Sequence, residues 1–257
     1  MSLRGDKIVA FAGFVLTVAA FHQLAKISSK KTESPKSPTT RKNGKSGLGN
    51  VKPVGKHLIV CGLGKPESWP ANIEKDEDSF VGRLVKMIKD FQVPTTPTIK
   101  VTGCDLPNTM DGFHDVIVYP EKKIYRVREE NMLSFCALVT DPASLTPRGT
   151  KWPKSIFHDY VPTFEKLVLV CCHASRDKRC GATGPAVLLS TRMHFSNEKY
   201  SNIVVAASSH IGGHEYAPTL VTYPEGDYFG RVTDSSIEKI LSGCTDECYR
   251  GNGLLEW

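Results

Sequence analysis

The chain has 257 residues, eight of them cysteine, 40% apolar content and a net charge of +6. That cysteine density is too low for a small disulfide-held secreted scaffold, and the composition is that of a globular protein long enough to build a core. The charge is uneven: residues 26–56 hold nine Lys or Arg against Glu33 alone, whereas residues 57–257 hold 22 against 25 acidic residues, so the expected folded part is mildly acidic and carries no nucleic-acid footprint.

From the N-terminus, Ile8 to Phe21 is an unbroken run of apolar and small residues, and the uncharged stretch continues to Ala25. Its length, residues 8–25, lies at the lower edge for a membrane-spanning helix, which needs about 20 residues. Residues 1–26 are therefore expected to form a hydrophobic membrane anchor. A cleaved secretory signal, with Val18-Ala19-Ala20 at the cleavage position, is an alternative; a mitochondrial presequence is another, opposed by Asp6 and by the unbroken run. Lys26, Lys30, Lys31 and Lys36 outweigh Arg4 and Lys7, which by the positive-inside rule puts the remainder in the cytosol. Residues 27–56, rich in Ser, Thr, Pro, Lys and Gly, cannot bury enough surface to offset ordering entropy and read as a basic, disordered linker. Its cations either rest on anionic lipid or are simply solvated.

The folded part is expected from His57. His57–Cys61 reads as a strand. Phe80, Val81, Leu84, Val85 and Ile88 recur at helical spacing within residues 79–89, with Asp78 as the expected N-cap. Thr98–Thr102 and Asp115–Tyr119 read as strands, Pro120–Lys123 as a turn, Ile124–Val127 as a returning strand and Asn131–Val139 as a short helix. Residues 141–162, with four Pro, read as a connection.

The same order then repeats. Strand Leu167–Val170 leads to a helix expected to start near Pro185, a residue favoured in a first helical turn. Strands Ile203–Ala207 and Thr219–Tyr223 follow, then the turn Pro224–Asp227 and a strand Tyr228–Val232. A helix Ser236–Ser242, with Asp234 or Ser235 as cap, is closed by Gly243. The hairpins share letters: Tyr119-Pro120-Glu121 with Arg126-Val127, and Tyr223-Pro224-Glu225 with Arg231-Val232. The expectation is an α/β chain of two tandem β-α-β-β-α units, residues 57–162 and 163–257.

Chemistry gathers in the second unit. The strand before Cys171 opens into Cys171-Cys172-His173-Ala174-Ser175-Arg176-Asp177-Lys178-Arg179-Cys180-Gly181, and the strand before Ser208 opens into Ser208-Ser209-His210-Ile211-Gly212-Gly213-His214. Two thiolates and two imidazoles suit Zn²⁺ or a two-iron cluster better than Mg²⁺ or Ca²⁺, which prefer oxygen ligands. Cys61 occupies the position of Cys171 in the first unit, but nothing there corresponds to Cys180, His210 or His214. One metal site is therefore expected, in the second unit.

These residues resemble the sucrase/ferredoxin-like family, the thioredoxin-like [2Fe-2S] ferredoxins of eukaryotes. The resemblance is carried by Cys-x-His-x-x-Arg-Asp-x-Arg-Cys-Gly over 171–181, by Gly184-Pro185, by Ser209–His214 and by Gly226–Val232. Trp69-Pro70-Ala71-Asn72-Ile73-Glu74 adds to it in the first unit. It implies that both units are thioredoxin-like and that Cys171, Cys180, His210 and His214 hold a [2Fe-2S] cluster. Cys172 departs from the pattern as a second thiol beside the first ligand. Replacing two thiolates by neutral imidazoles raises the reduction potential, and the remaining imidazole N–H allows reduction to be coupled to proton uptake.

Around the ligands, Gly212 and Gly213 allow a tight loop whose N–H groups can approach the cluster. Arg176, Lys178 and Arg179 form either a solvated charged loop or a docking patch for an acidic redox partner, and His173 either a hydrogen-bond donor near the site or an ordinary loop residue. Cys61, Cys104 and Cys136 read as small buried apolar residues. His114, His158 and His194 carry no expected role. Cys244 and Cys248 are either structural thiols or a second pair. Leu255-Glu256-Trp257 resembles the C-terminal signal by which cytosolic iron–sulfur clients are recognised by the assembly machinery.

The leading expectation is thus an iron–sulfur electron carrier, rather than a stand-alone enzyme, tethered to a membrane with its folded part in the cytosol; a mitochondrial location is the alternative. A zinc-stabilised Cys₂His₂ binding module is one rival, although 29 residues between Cys180 and His210 is unlike a zinc finger. A thiol–disulfide enzyme using Cys171 and Cys172 is the other, although no Cys-x-x-Cys is present.

Overall fold

The computed structural model describes residues 51–92, 97–141, 158–196, 200–243 and 248–255. The expected anchor at residues 8–25 and most of the linker lie outside the described residues, among which no helix is long and apolar enough to cross a membrane. Everything described falls in one compact unit, Gly44–Trp257.

The first sheet is built from β1 (Lys56–Val60), β2 (Ile99–Gly103), β3 (His114–Tyr119), β4 (Lys123–Val127) and β5 (His158–Tyr160), in the order β2-β1-β3-β4-β5. β1 and β2 are parallel, joined through helix α1 (Phe80–Phe91); β3 and β4 form an antiparallel hairpin, followed by α2 (Met132–Thr140). The second sheet takes β6 (Lys166–Cys171), β7 (Ile203–Ser208), β8 (Leu220–Tyr223), β9 (Asp227–Phe229) and β10 (Tyr249–Asn252), in the order β10-β9-β8-β6-β7. Here α3 (Lys178–His194) joins the parallel pair β6 and β7, and α4 (Asp234–Ser242) follows the β8–β9 hairpin. In both sheets a parallel pair is flanked by an antiparallel hairpin in the same spatial order, so the fold is two repeated thioredoxin-like β-α-β-β-α arrangements. The residues of Tyr119-Pro120 and Tyr223-Pro224 that matched in the sequence are both cis peptides.

Strand alternation decides the layers. On β1, Leu58 and Val60 face α1 and α2, packing with Leu84, Ile88 and Phe135. On β6, Val168 and Val170 face α3 and α4, packing with Val187, Ile237 and Ile240. The opposite faces, Ile59 and Ile117 from the first sheet and Leu167, Leu169 and Val221 from the second, share one core. Helices therefore cover the outer faces while the two sheets meet face to face. Each fully buried Leu or Ile contributes about 1.5–3 kcal/mol. At the centre, the rings of Tyr119 and Tyr223 stack at 4.2 Å between centroids.

The structure differs from the sequence expectation in four places. The side chain of Ser79, not Asp78, caps α1 by accepting from Gly82 N at 3.0 Å. Thr233, not Asp234 or Ser235, caps α4 through a reciprocal arrangement with Ser236. Helix α3 starts at Lys178, seven residues before Pro185, because the Asp177 carboxylate accepts from Arg179 N at 3.0 Å. Pro185 is accommodated inside the helix at an exposed position, where only the Gly181 carbonyl loses its helical donor. Finally, β5 and β10 were not expected; neither alternates clearly, and both are edge strands recruited by β4 and β9.

Candidate metal centre

Because β6 and β7 are parallel, both deliver their following loops to the same end of the sheet, with Cys171 opposite Ser208. Alternation sends adjacent Cys171 and Cys172 to opposite faces. Cys171 enters the core between the sheets; Cys172 packs on the helix side with Val187 and Leu188. The Cys171 sulfur accepts hydrogen bonds from Cys180, from the His210 side chain and from the backbone N–H groups of His173 and Ile211. The Cys180 hydrogen bond is the largest of these influences, and together they hold Cys171 well below the usual thiol range despite its burial. Cys180, next to the thiolate so favoured, keeps its proton and is pushed upward. Burial pushes the Cys172 thiol up to about 12. It is Cys171, not Cys172, that the structure places among the other donors.

Cys180 lies in the first turn of α3, whose start Asp177 fixes. The helix can press onto the end of β6 because residue 184 is glycine: a Cβ there would meet the Cys171 carbonyl oxygen at 2.1 Å. This contact brings two fully buried thiols together.

The imidazoles come from the loop after β7. Gly212 and Gly213 both adopt left-handed conformations, with φ of 93° and 73°, reversing the chain between His210 and His214. A Cβ on Gly213 would also strike the Arg250 guanidinium at 2.1 Å. The two imidazole rings lie 5.3 Å apart between centroids, inclined at 35°. The Nδ1 atom of each is buried without a hydrogen-bond partner. His214 Nε2 faces Asp177 Oδ2 at 3.9 Å, and the His214 side chain is 44% exposed. The site is thus sealed on its thiol side and open on its imidazole side.

The remaining predicted residues are engaged within the chain. Arg176 bonds Asn72 and pairs with Glu74 at 3.2 Å. Arg179 pairs with Asp177 at 2.8 Å, and its side-chain hydrogen bond is the main reason the Asp177 carboxyl is held below its ordinary range. His173 is fully buried: its Nε2 bonds the Pro70 carbonyl at 2.9 Å and its ring meets Trp69 edge-on. Ser175 donates to the Trp69 carbonyl at 2.6 Å. The Trp69–Glu74 segment is therefore the surface on which the Cys171–Cys180 loop rests. Arg176 and Arg179, read from sequence as a solvated charged loop or as a docking patch, are exposed, and each also pairs with an acidic residue of the chain.

Sequence reasoning assigned no role to Asp177, which both caps α3 and faces His214; its place three residues before Cys180 was the available signal. Cys136 is buried in the first core, which pushes its thiol up to about 12. Cys248 donates to the Arg231 carbonyl at 3.9 Å, and Cys244 lies outside the described residues. Of the C-terminal tripeptide, Leu255 is described, donating to the Val54 carbonyl at 3.0 Å; Glu256 and Trp257 are not.

Among the described residues no three His, Cys, Asp or Glu side chains gather closely enough to hold a single metal ion. The four donors fall instead into two pairs, Cys171 with Cys180 and His210 with His214, although Cys171 also touches His210. A tetrahedral Zn²⁺ needs all four donors around one point. A two-iron cluster can take a thiolate pair and an imidazole pair. The orphaned Nδ1 atoms and the favoured Cys171 thiolate fit that donor set.

The sucrase/ferredoxin-like family model matches residues 48–252 of the chain. The protein named altered inheritance of mitochondria protein 32 from Meyerozyma guilliermondii is 29% identical over 209 residues, 72% of this chain and 74% of the relative. Its namesake from Clavispora lusitaniae is 33% identical over 231 residues, 80% of this chain and 84% of the relative. Among solved structures, a thioredoxin-like [2Fe-2S] ferredoxin from Aquifex aeolicus matches with 18% identity and a TM-score of 0.30, over 37% of this chain and 96% of that one.

Proposed function

The chain belongs to the sucrase/ferredoxin-like family, and from that membership we propose that it is an electron-transfer protein whose [2Fe-2S] cluster is held by Cys171, Cys180, His210 and His214. The observation that carries this reading is the convergence of two thiols and two imidazoles at one end of the second sheet, with Cys171 bonded to both Cys180 and His210. When bound, the cluster supplies one-electron exchange at a potential raised by the two neutral ligands. The chain does the rest. Burial of Cys171 and Cys180 keeps water from the thiolates. Backbone N–H groups of His173 and Ile211 stabilise charge on the Cys171 sulfur. Asp177 faces His214 Nε2, which favours a proton on that nitrogen and leaves Nδ1 as the donor atom. The exposed imidazole edge is where a redox partner approaches.

The relatives are named for mitochondrial inheritance, so mitochondria are the proposed destination, with residues 8–25 as the anchoring segment and the folded part in the cytosol. The tripeptide Leu255-Glu256-Trp257 is proposed to recruit the cytosolic assembly machinery.

Anaerobic purification of the full chain tests the cofactor. Iron and acid-labile sulfide in equal amounts, with a red-brown optical spectrum, are expected; colourless protein containing zinc overturns the proposal. Deleting residues 255–257 should lower iron content in cells while leaving the purified fold intact by circular dichroism. Unchanged iron content removes the assembly role from the tripeptide.

A further inference from the structure

A second thiol pair lies in the half that lacks the imidazoles. Val60 on β1 stands opposite Gly103 on β2, so the next residues, Cys61 and Cys104, are side by side at the strand ends. Cys104 N donates to the Val60 carbonyl at 2.8 Å, and the two sulfurs are 3.8 Å apart. Cys61 is 4% exposed and Cys104 fully buried. Both side chains pack in the core between the two sheets.

We propose that Cys61 and Cys104 form a dithiol–disulfide couple that is closed by peroxide. Adjacent strand positions already provide side chains close together; closure brings the sulfurs from 3.8 Å to the bonded distance of about 2.0 Å. In the first step the Cys61 thiolate attacks one peroxide oxygen. The O–O bond breaks, leaving a sulfenic acid on Cys61 and one water after proton uptake. In the second, the Cys104 sulfur attacks the Cys61 sulfur, the S–O bond breaks, and the hydroxyl leaves as a second water with the Cys104 proton. Two thiols have lost two electrons and one peroxide has become two waters. The hydrogen bond with Cys104, then burial, holds the Cys61 thiol well above its usual range. Attack is therefore slow, and the couple stays reduced until peroxide persists.

The test uses the reduced full-length chain, exposed to hydrogen peroxide, alkylated in denaturant and digested with trypsin without reductant. Peptide 57–75 joined to peptide 101–122 is expected in most of the protein. It should vanish on treatment with dithiothreitol and be absent from Cys61→Ser and Cys104→Ser variants. In Cys104→Ser the reaction should stop at a Cys61 sulfenic acid trapped by dimedone. The linked peptides should also form in a Cys180→Ser chain, so loss of the proposed cluster does not decide the outcome. Alkylation of both thiols after peroxide, or a Cys61 carried to sulfinic acid beside an alkylated Cys104, overturns the proposal.

Discussion

The choice between Cys171 and Cys172 turns on one bond of backbone. The two differ in sequence by a single step and in structure by the full thickness of a sheet, because side chains alternate along β6. Substituting Cys171, Cys180, His210 or His214 by Ala should each abolish the visible spectrum of the purified protein. Cys172→Ala should retain that spectrum and lower stability by about 1 kcal/mol through a small void on the helix side. Retention of colour in Cys171→Ala and its loss in Cys172→Ala would reverse the assignment. The motif gave the residue types legibly, but Arg176 and Arg179 could not be read from it. The Arg176 partners Glu74 and Asn72 become visible only once the Trp69–Glu74 segment is seen beneath the loop, whereas Arg179 pairs with Asp177 two residues before it.

At the scale of elements, α3 is the piece that assembles the thiol pair. Asp177 starts it, Cys180 rides in its first turn, and Gly184 lets it touch the end of β6. Gly184→Ala places a methyl group 2.1 Å from the Cys171 carbonyl oxygen. Neither backbone can yield without moving Cys180, so a loss of about 1–3 kcal/mol is expected, together with weakened iron retention. Denaturant midpoints and iron analysis on the same preparation check both effects; unchanged values would mean that the helix does not press on the strand as described. Helix α3 also shows a limit of local reading. Proline statistics favoured a start at Pro185, but a capping carboxylate eight residues earlier outweighed the one hydrogen bond that Pro removes.

For the whole molecule, the meeting of the two sheets has a buried histidine at its heart. His57 is fully buried, hydrogen-bonded to the Tyr223 hydroxyl on one side and to Thr102 at 2.9 Å on the other. Burial first, then the charge of Lys100, lowers its proton affinity well below the ordinary value. The folded protein thus holds His57 neutral, whereas the unfolded chain takes up a proton near pH 6.5. This contribution to stability is fully present above that pH and is lost as pH falls below it, at about 1.4 kcal/mol per pH unit until the folded-state value is reached. Urea unfolding between pH 5 and 8 should show the loss, and His57→Gln should flatten the difference. His114 and His173 are also lowered, mainly by burial, so the comparison of variant with wild type isolates the His57 part. An identical pH profile in the variant would remove His57 as its source.

The sequence by itself determined the repeat of two β-α-β-β-α units, the places of eight of the ten strands among the described residues and a clustering of thiols and imidazoles in the second unit. These follow from local period and from side-chain chemistry, which neighbouring residues carry with them; the set of four ligands came from the family resemblance. Which face of β1 and β6 would meet the other sheet, and hence which of two adjacent thiols would join the imidazoles, was decided only by the packing of the halves. The same packing recruited β5 and β10 as edges, set Asp177 against His214 and laid the Cys171–Cys180 loop on residues some hundred positions earlier. Alternation dictates that neighbours face opposite ways. It does not say what lies on either side, because that is settled by surfaces far apart in the chain that gain free energy only when they leave water together.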